Sequence, residues 1–212
     1  PMKPSTAPLE IRPGCRHWPG LLDRPAQEAI VAALRPVVAA APLYVPVMPR
    51  TGRPFSVRMT NAGRLGWVSD RDGGYRYQRT HPETGRPWPP IPAGVLAVWR
   101  LLLPGMPEPE CCLVNLYRGG ARMGLHQDAD EAAVEVPVLS ISLGDTAVFR
   151  FGGPDRRDPT RSVRLASGDV VAFGGPARLA HHGIDRILAG SSTLLEGGGR
   201  INLTLRRVTP VP

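Results

Sequence analysis

After Glu110 the chain breaks into short runs in which apolar and polar residues alternate, each closed by a turn signal: CLVNLYRGG, RMGLHQDAD, VPVLSISLGD, TAVFRFGG, RSVRLASGD, VVAFGG and RINLTLRR. A period of two is the mark of a strand with one face in a core, because successive side chains point to opposite faces. Seven such strands in close succession predict two packed sheets or a closed one, a sandwich or a jelly-roll barrel.

Ahead of them the period changes. Residues 24–41, RPAQEAIVAALRPVVAAA, carry apolar side chains at helical spacing behind Asp23, a capping residue type, with Pro36 placed to kink the helix. Residues 93–103, framed by prolines in PAGVLAVWRLLLPG, predict a second helix. Residues 42–92, rich in Pro, Gly, Arg and aromatics, read as a long irregular extension, and residues 1–9 as an unstructured leader into the fold. The expectation is a mainly β fold with flanking helices, one domain over residues 1–212, and the 25 Pro and 24 Gly agree with many turns.

The chain has no apolar run long enough to span a membrane, and PMKPSTAPLE lacks the apolar core of a signal peptide, so a cytoplasmic protein without membrane attachment is expected. Cys15, Cys111 and Cys112 make neither a C-x-x-C pair nor an even disulfide framework; they read as reduced packing thiols without a catalytic role. A net charge of +8 suits a polyanionic partner such as nucleic acid, but the arginines are scattered and suit a solvated surface equally well.

The chemistry lies in the strands. In MGLHQDAD, His126 and Asp128 share a strand face if the strand continues through them, and so can bind one metal ion. With five His in 212 residues, an H-x-D arises by composition roughly one time in four, so a third ligand is needed. His181 or His182 in LAHHGIDR can supply it, and two histidines with one carboxylate leave positions open on Fe(II) for oxygen activation. In RINLTLR, Arg200, Asn202, Thr204 and Arg206 share one face; that face is either an edge strand's wet side or a clamp for a short dicarboxylic acid. In LVNLY, Asn115 and Tyr117 offer an amide and a phenol on one face for the same purpose.

The ordered series N-x-Y, H-Q-D-x-D-E, S-x-S-L-G, F-G-G, G-D-V-V, H-G-I and R-x-N-L-T-x-R resembles the AlkB family of Fe(II)- and 2-oxoglutarate-dependent nucleic-acid dealkylases. RPFSVRMTNAGRLGW, GYRY and GRPWPPIP are similar to that family's nucleotide-recognition lid, within residues 42–92, ahead of a catalytic core at 111–207. The resemblance implies a double-stranded β-helix, with His126, Asp128 and His182 as iron ligands; H-G-I selects His182 over His181. It implies that Asn115, Tyr117 and Arg200 bind the distal carboxylate of 2-oxoglutarate and that Asn202 and Arg206 hold the end nearer the metal. With O2 as the other substrate, it implies oxidative decarboxylation to succinate and removal of N-methyl groups, as formaldehyde, from 1-methyladenine and 3-methylcytosine in DNA and also RNA, by a monomer.

For the base, the resemblance implies Trp67 as the stacking aromatic opposite the His126 ring, Met59 and Tyr75 along the lid, and Asp130 as the carboxylate at the reacting base's amino group. Tyr77 is the alternative to Tyr75, and a plain apolar cluster is the alternative for both rings. Arg122 and Arg156 are placed as phosphate contacts, or as solvated surface. Two other functions stay open on the residues alone: a related oxygenase acting on transfer RNA, a protein side chain or a small metabolite, and a non-catalytic jelly-roll binding module.

Overall fold

The structure is a computed structural model that describes residues 7–211. In chain order it contains β1 (Leu9–Arg12), β2 (Cys15–Trp18), α1 (Arg24–Ala40), β3 (Arg58–Gly63), β4 (Gly66–Asp70), β5 (Gly74–Gln78) and α2 (Ala93–Leu102). The second half contributes β6 (Cys111–Tyr117), β7 (Met123–His126), β8 (Val138–Gly144), β9 (Thr146–Phe151), β10 (Arg161–Leu165), β11 (Val170–Phe173), β12 (His182–Leu188) and β13 (Arg200–Arg206). Two antiparallel sheets result, one ordered β1-β2-β11-β8-β13-β6-β3 and the other β10-β9-β12-β7, with β4 and β5 as a separate hairpin.

The period-two pattern of β13 is answered on both faces. Leu203 and Leu205 join Val114 of β6, Ile141 of β8 and the inner faces of both helices in one core. The opposite faces of the same strands contribute Leu113 and Val138 to a second core with Phe149, Phe151 and Ile184 of the smaller sheet. β13 lies between β8 and β6, so the reading of its polar face as a wet edge is excluded. Polar residues on that face are enclosed between the sheets.

Helix α1 begins where Asp23 accepts the Ala26 N–H at 3.0 Å and turns Gln27, Ile30, Leu34 and Val37 inward. The helix continues through Pro36, whose ring faces solvent. All three cysteines are free and buried; burial pushes the Cys15 thiol up to about 12, as expected of protonated packing groups.

Three expectations change. Leu9 already belongs to a strand, so the leader is shorter than residues 1–9, and residues 1–6 lie outside the described residues. The region 42–92 is not irregular throughout: it supplies β3, an outer strand of the large sheet, and the β4–β5 hairpin. An eighth strand after Glu110, β12, was not foreseen. It pairs with β9 and β7 through register shifts, so its residues lose the simple alternation that marks a half-buried strand.

The hairpin is fixed close to the large sheet. The Asn61 amide of β3 donates to the Trp67 carbonyl and accepts the Trp67 N–H, each at 3.0 Å. Its turn closes with the Gly73 N–H on the Asp70 carboxylate at 2.6 Å, and Gly74 takes a φ of 68° that favours glycine. Tyr44, Val68 and Trp88 form a small apolar cluster with Ala41, supporting the hairpin.

Candidate active site

His126 ends β7 and faces His182, its partner across the strand pair with β12. The two rings lie 4.5 Å apart between centroids. Each imidazole directs Nδ1 at a main-chain carbonyl, Gly124 at 2.8 Å for His126 and Ala180 at 3.0 Å for His182. If those nitrogens carry the protons, both Nε2 lone pairs are free for a metal. Burial holds the His182 imidazole down to about 4, which keeps it unprotonated at neutral pH. The glycine of H-G-I has a structural cause: a Cβ on Gly183 would stand 2.6 Å from the Met123 carbonyl oxygen and 2.8 Å from that of Gly124.

Asp128 completes the group, with its carboxylate oxygens 3.8 Å from each Nε2. One ligand atom from each of the three residues lies within 4.8 Å of the others. The route differs from the expected shared strand face. β7 stops at His126, and Gln127 leaves the strand with its amide donating to the Pro154 and Leu179 carbonyls. Asp128 is held instead by Arg206, whose Nε and Nη2 reach its two oxygens at 3.0 and 2.8 Å. Burial acts to push the Asp128 carboxyl up, but Arg206 and the two histidines bring it well below the usual carboxylate range. His181 stays outside the group, 3.4 Å from the Gly153 carbonyl.

Further in, Arg200 is fully buried on β13. Its Nη2 donates to Ser142 at 2.8 Å and its Nη1 to the Leu165 carbonyl at 3.3 Å, while its Nε has no partner. Among the described residues no carboxylate pairs with it. Burial brings its pKa down to about 10, the cost of enclosing a cation without an anion. Across the β13–β6 pairing stand Tyr117, opposite Arg200, and Asn115, opposite Asn202. Burial pushes the Tyr117 phenol up to about 12, so it remains a proton donor. The Asn115 side-chain oxygen is buried without a partner, and a flip of that amide presents a donor in its place. Asn202 is committed elsewhere: its Nδ2 donates to Ser140 and the Ile141 carbonyl, and its oxygen accepts from Thr204.

The third part comes from the hairpin. The Trp67 indole stacks on Tyr75 at 5.5 Å and 21°, with Phe55 edge-on at 6.2 Å, and its Nε1–H donates to the Asp130 carboxylate at 2.8 Å. Trp67 and His126, expected on opposite sides of a base, both line one cavity. The Trp67 ring leans diagonally along the hairpin onto Tyr75, two residues from its cross-strand partner Tyr77. Tyr77 turns its hydroxyl to Glu131 and does not line the cavity. One cavity of about 890 Å³ is lined by the metal group, Asn115, Tyr117, Arg200, Asn202, Arg206, Met59, Trp67, Tyr75, Asp130, Arg122 and Arg156. Arg156 is partly used, donating to the Leu125 carbonyl at 2.8 Å.

Residues 14–206 match the 2OG-Fe(II) oxygenase superfamily. The chain is 62% identical over 202 residues to the alpha-ketoglutarate-dependent dioxygenase AlkB homolog of Caulobacter vibrioides, covering 94% of this chain and 90% of that protein. It is 40% identical over 186 residues to AlkB of Escherichia coli, covering 86% and 85%. The chain belongs to the AlkB family. The solved structure of OsALKBH1 superposes with a TM-score of 0.80 at 30% identity, covering 95% of this chain and all of that one, and the fold is the jelly roll of these oxygenases. This AlkB-family protein is an Fe(II)- and 2-oxoglutarate-dependent dioxygenase.

Its residues fit both groups. Two imidazole nitrogens and a carboxylate suit Fe(II) while leaving coordination positions open. The orphaned Nε of Arg200, a buried cation that no carboxylate pairs with among the described residues, suits one end of a dicarboxylate. The sequence reading of this AlkB-family site missed Glu131 and Arg178, both buried and both hydrogen-bonded around Asp128. Glu131 is adjacent to Asp130 in HQDADE, and that adjacency was the one available signal. Arg178 in PARLAHH has no periodic context that would mark it as buried.

Proposed function

We propose that this AlkB-family dioxygenase removes N-methyl groups from 1-methyladenine and 3-methylcytosine in DNA and also in RNA, acting as a cytoplasmic monomer with residues 1–212 as one catalytic domain. The observation that carries the reading is the Trp67 indole donating to Asp130 in the cavity shared with His126, Asp128 and His182. A base taken out of its stack needs a flat partner and a group that reads its edge. Trp67 supplies the face. One Asp130 oxygen is taken by the indole; the other accepts the base's exocyclic amino group, and the carboxylate's charge favours a ring made cationic by methylation.

Arg122 and Arg156, at the cavity wall, take backbone phosphates, and Met59 and Tyr75 close the pocket. Arg200 and Tyr117 bind the distal carboxylate of 2-oxoglutarate, with the flipped Asn115 amide beside them. Arg206 and Asn202 serve the end nearer the metal, for which Arg206 must loosen one of its two bonds to Asp128 and the Asn202 amide must give up its bond to Ser140 or to the Ile141 carbonyl. When bound, iron and 2-oxoglutarate would activate O2, 2-oxoglutarate losing CO2 and taking one oxygen atom as succinate while the other would enter the methyl C–H bond as a hydroxyl, and the hydroxymethyl group would then leave as formaldehyde, giving up its hydroxyl proton and leaving the ring nitrogen neutral. Phe149, Phe151 and Phe173 pack around the His182 ring and keep bulk water from that side of the metal group. Among the described residues no helix is long and apolar enough to cross a membrane.

Asp130→Ala tests the base-reading role. The variant retains 2-oxoglutarate turnover but loses roughly tenfold or more of its preference for cationic over neutral methylated bases. A lesion profile equal to that of the wild type sinks the assignment.

A further inference from the structure

Beside the metal group the proposed chemistry leaves Glu131 and Arg178 unused, with side chains only 2% and 3% exposed. Glu131 accepts the Tyr77 hydroxyl through Oε1, which also lies 3.4 Å from Arg206 Nε. Its Oε2 accepts from Arg178 Nη2 at 3.0 Å. Arg178 uses the rest of its guanidinium on main-chain oxygens, Nη1 on Asp128 at 2.6 Å and Nε on Val136 at 3.0 Å. One network therefore joins the hairpin, through Tyr77, to the main chain of Asp128 and to β13.

We propose that Arg178 and Glu131 form a buried strut that fixes the β4–β5 hairpin relative to Asp128, making both positioning residues for the reaction. The strut's effect on catalysis rests on the function proposed above; its geometry does not. Trp67 and Tyr75 stand on the hairpin that Tyr77 anchors, while the other end of the strut grips the residue carrying the metal-binding carboxylate. Moving one end against the other shifts the base-side wall relative to the metal group, and a shift of about 1 Å between reacting parts costs on the order of a hundredfold in rate. Tethers to buried charged groups resist such a shift strongly, since a broken one leaves an unsatisfied group in a low dielectric.

Hydrogen exchange on the metal-free protein tests this without any turnover. Tyr77→Phe deletes one hydroxyl, and Arg178→Lys keeps the charge but loses the fork. In both variants, amide exchange across residues 66–78 is expected to speed up roughly tenfold, with residues 127–131 following in Arg178→Lys and with β6, β8 and β13 unchanged. In the loaded enzyme, succinate formed per base demethylated rises several-fold, whereas general destabilisation lowers both products together. Wild-type protection of 66–78 in Tyr77→Phe, or a rise confined to the neighbourhood of residue 178, overturns the strut. If the exchange pattern holds but the wild type demethylates no nucleic acid, the strut stands and the proposed substrate falls.

Discussion

Asp128 serves two partners, the two histidine Nε2 atoms on one side and the Arg206 fork on the other. Shortening it removes a metal ligand and strands a buried guanidinium. Asp128→Ala is expected to abolish Fe(II) binding and also to lower stability by about 3 kcal/mol, read from the urea midpoint of the metal-free protein. A variant that binds no iron yet unfolds at the wild-type midpoint would show that Arg206 finds full compensation in Glu131, 3.4 Å away. His126 and Asp128 were visible in the sequence as H-x-D, but the reason given for their meeting, a shared strand face, fails because the chain leaves β7 between them. Arg206 draws in the carboxylate from β13, an interior strand of the large sheet, and no local pattern reports a partner 78 residues away.

At the scale of elements, β7 and β12 bring the two histidines together, and Gly183 sets how closely those strands approach. Gly183→Ala puts a methyl group against two main-chain oxygens of β7, atoms that can move only with the strand. The expected result is an Fe(II) affinity lowered roughly tenfold or more, with β6 and β13 as protected from exchange as in the wild type. Unchanged affinity in a metal titration would show that the strand edge yields without moving His126. β13 was legible because it has one aliphatic face and one polar face, and β6 because Asn115 and Tyr117 alternate with Val114 and Leu116, patterns that survive even though both faces are covered. β3 and β12 were not. β3 is buried along most of its length, and β12 is interrupted by register shifts, so neither keeps a period of two.

Across the whole molecule, the two sheets enclose the metal group and the buried Arg200, and the hairpin from residues 66–78 lines the cavity on the side proposed for the base. The same enclosure brings together the residues proposed for the cosubstrate. Arg200, Asn115 and Tyr117 sit on regular strands whose register follows from alternation, whereas the Trp67–Tyr75 stack and the Asp130 contact depend on how a hairpin leans, which no spacing encodes. The basic charge of +8 agrees with a nucleic-acid partner without choosing one. The decisive measurement is a reaction of the iron-loaded protein with 2-oxoglutarate and a single-stranded oligonucleotide bearing 1-methyladenine, following formaldehyde, succinate and restored adenine together. The account predicts that all three appear in step; succinate formed with no methyl group lost from DNA or RNA would contradict it.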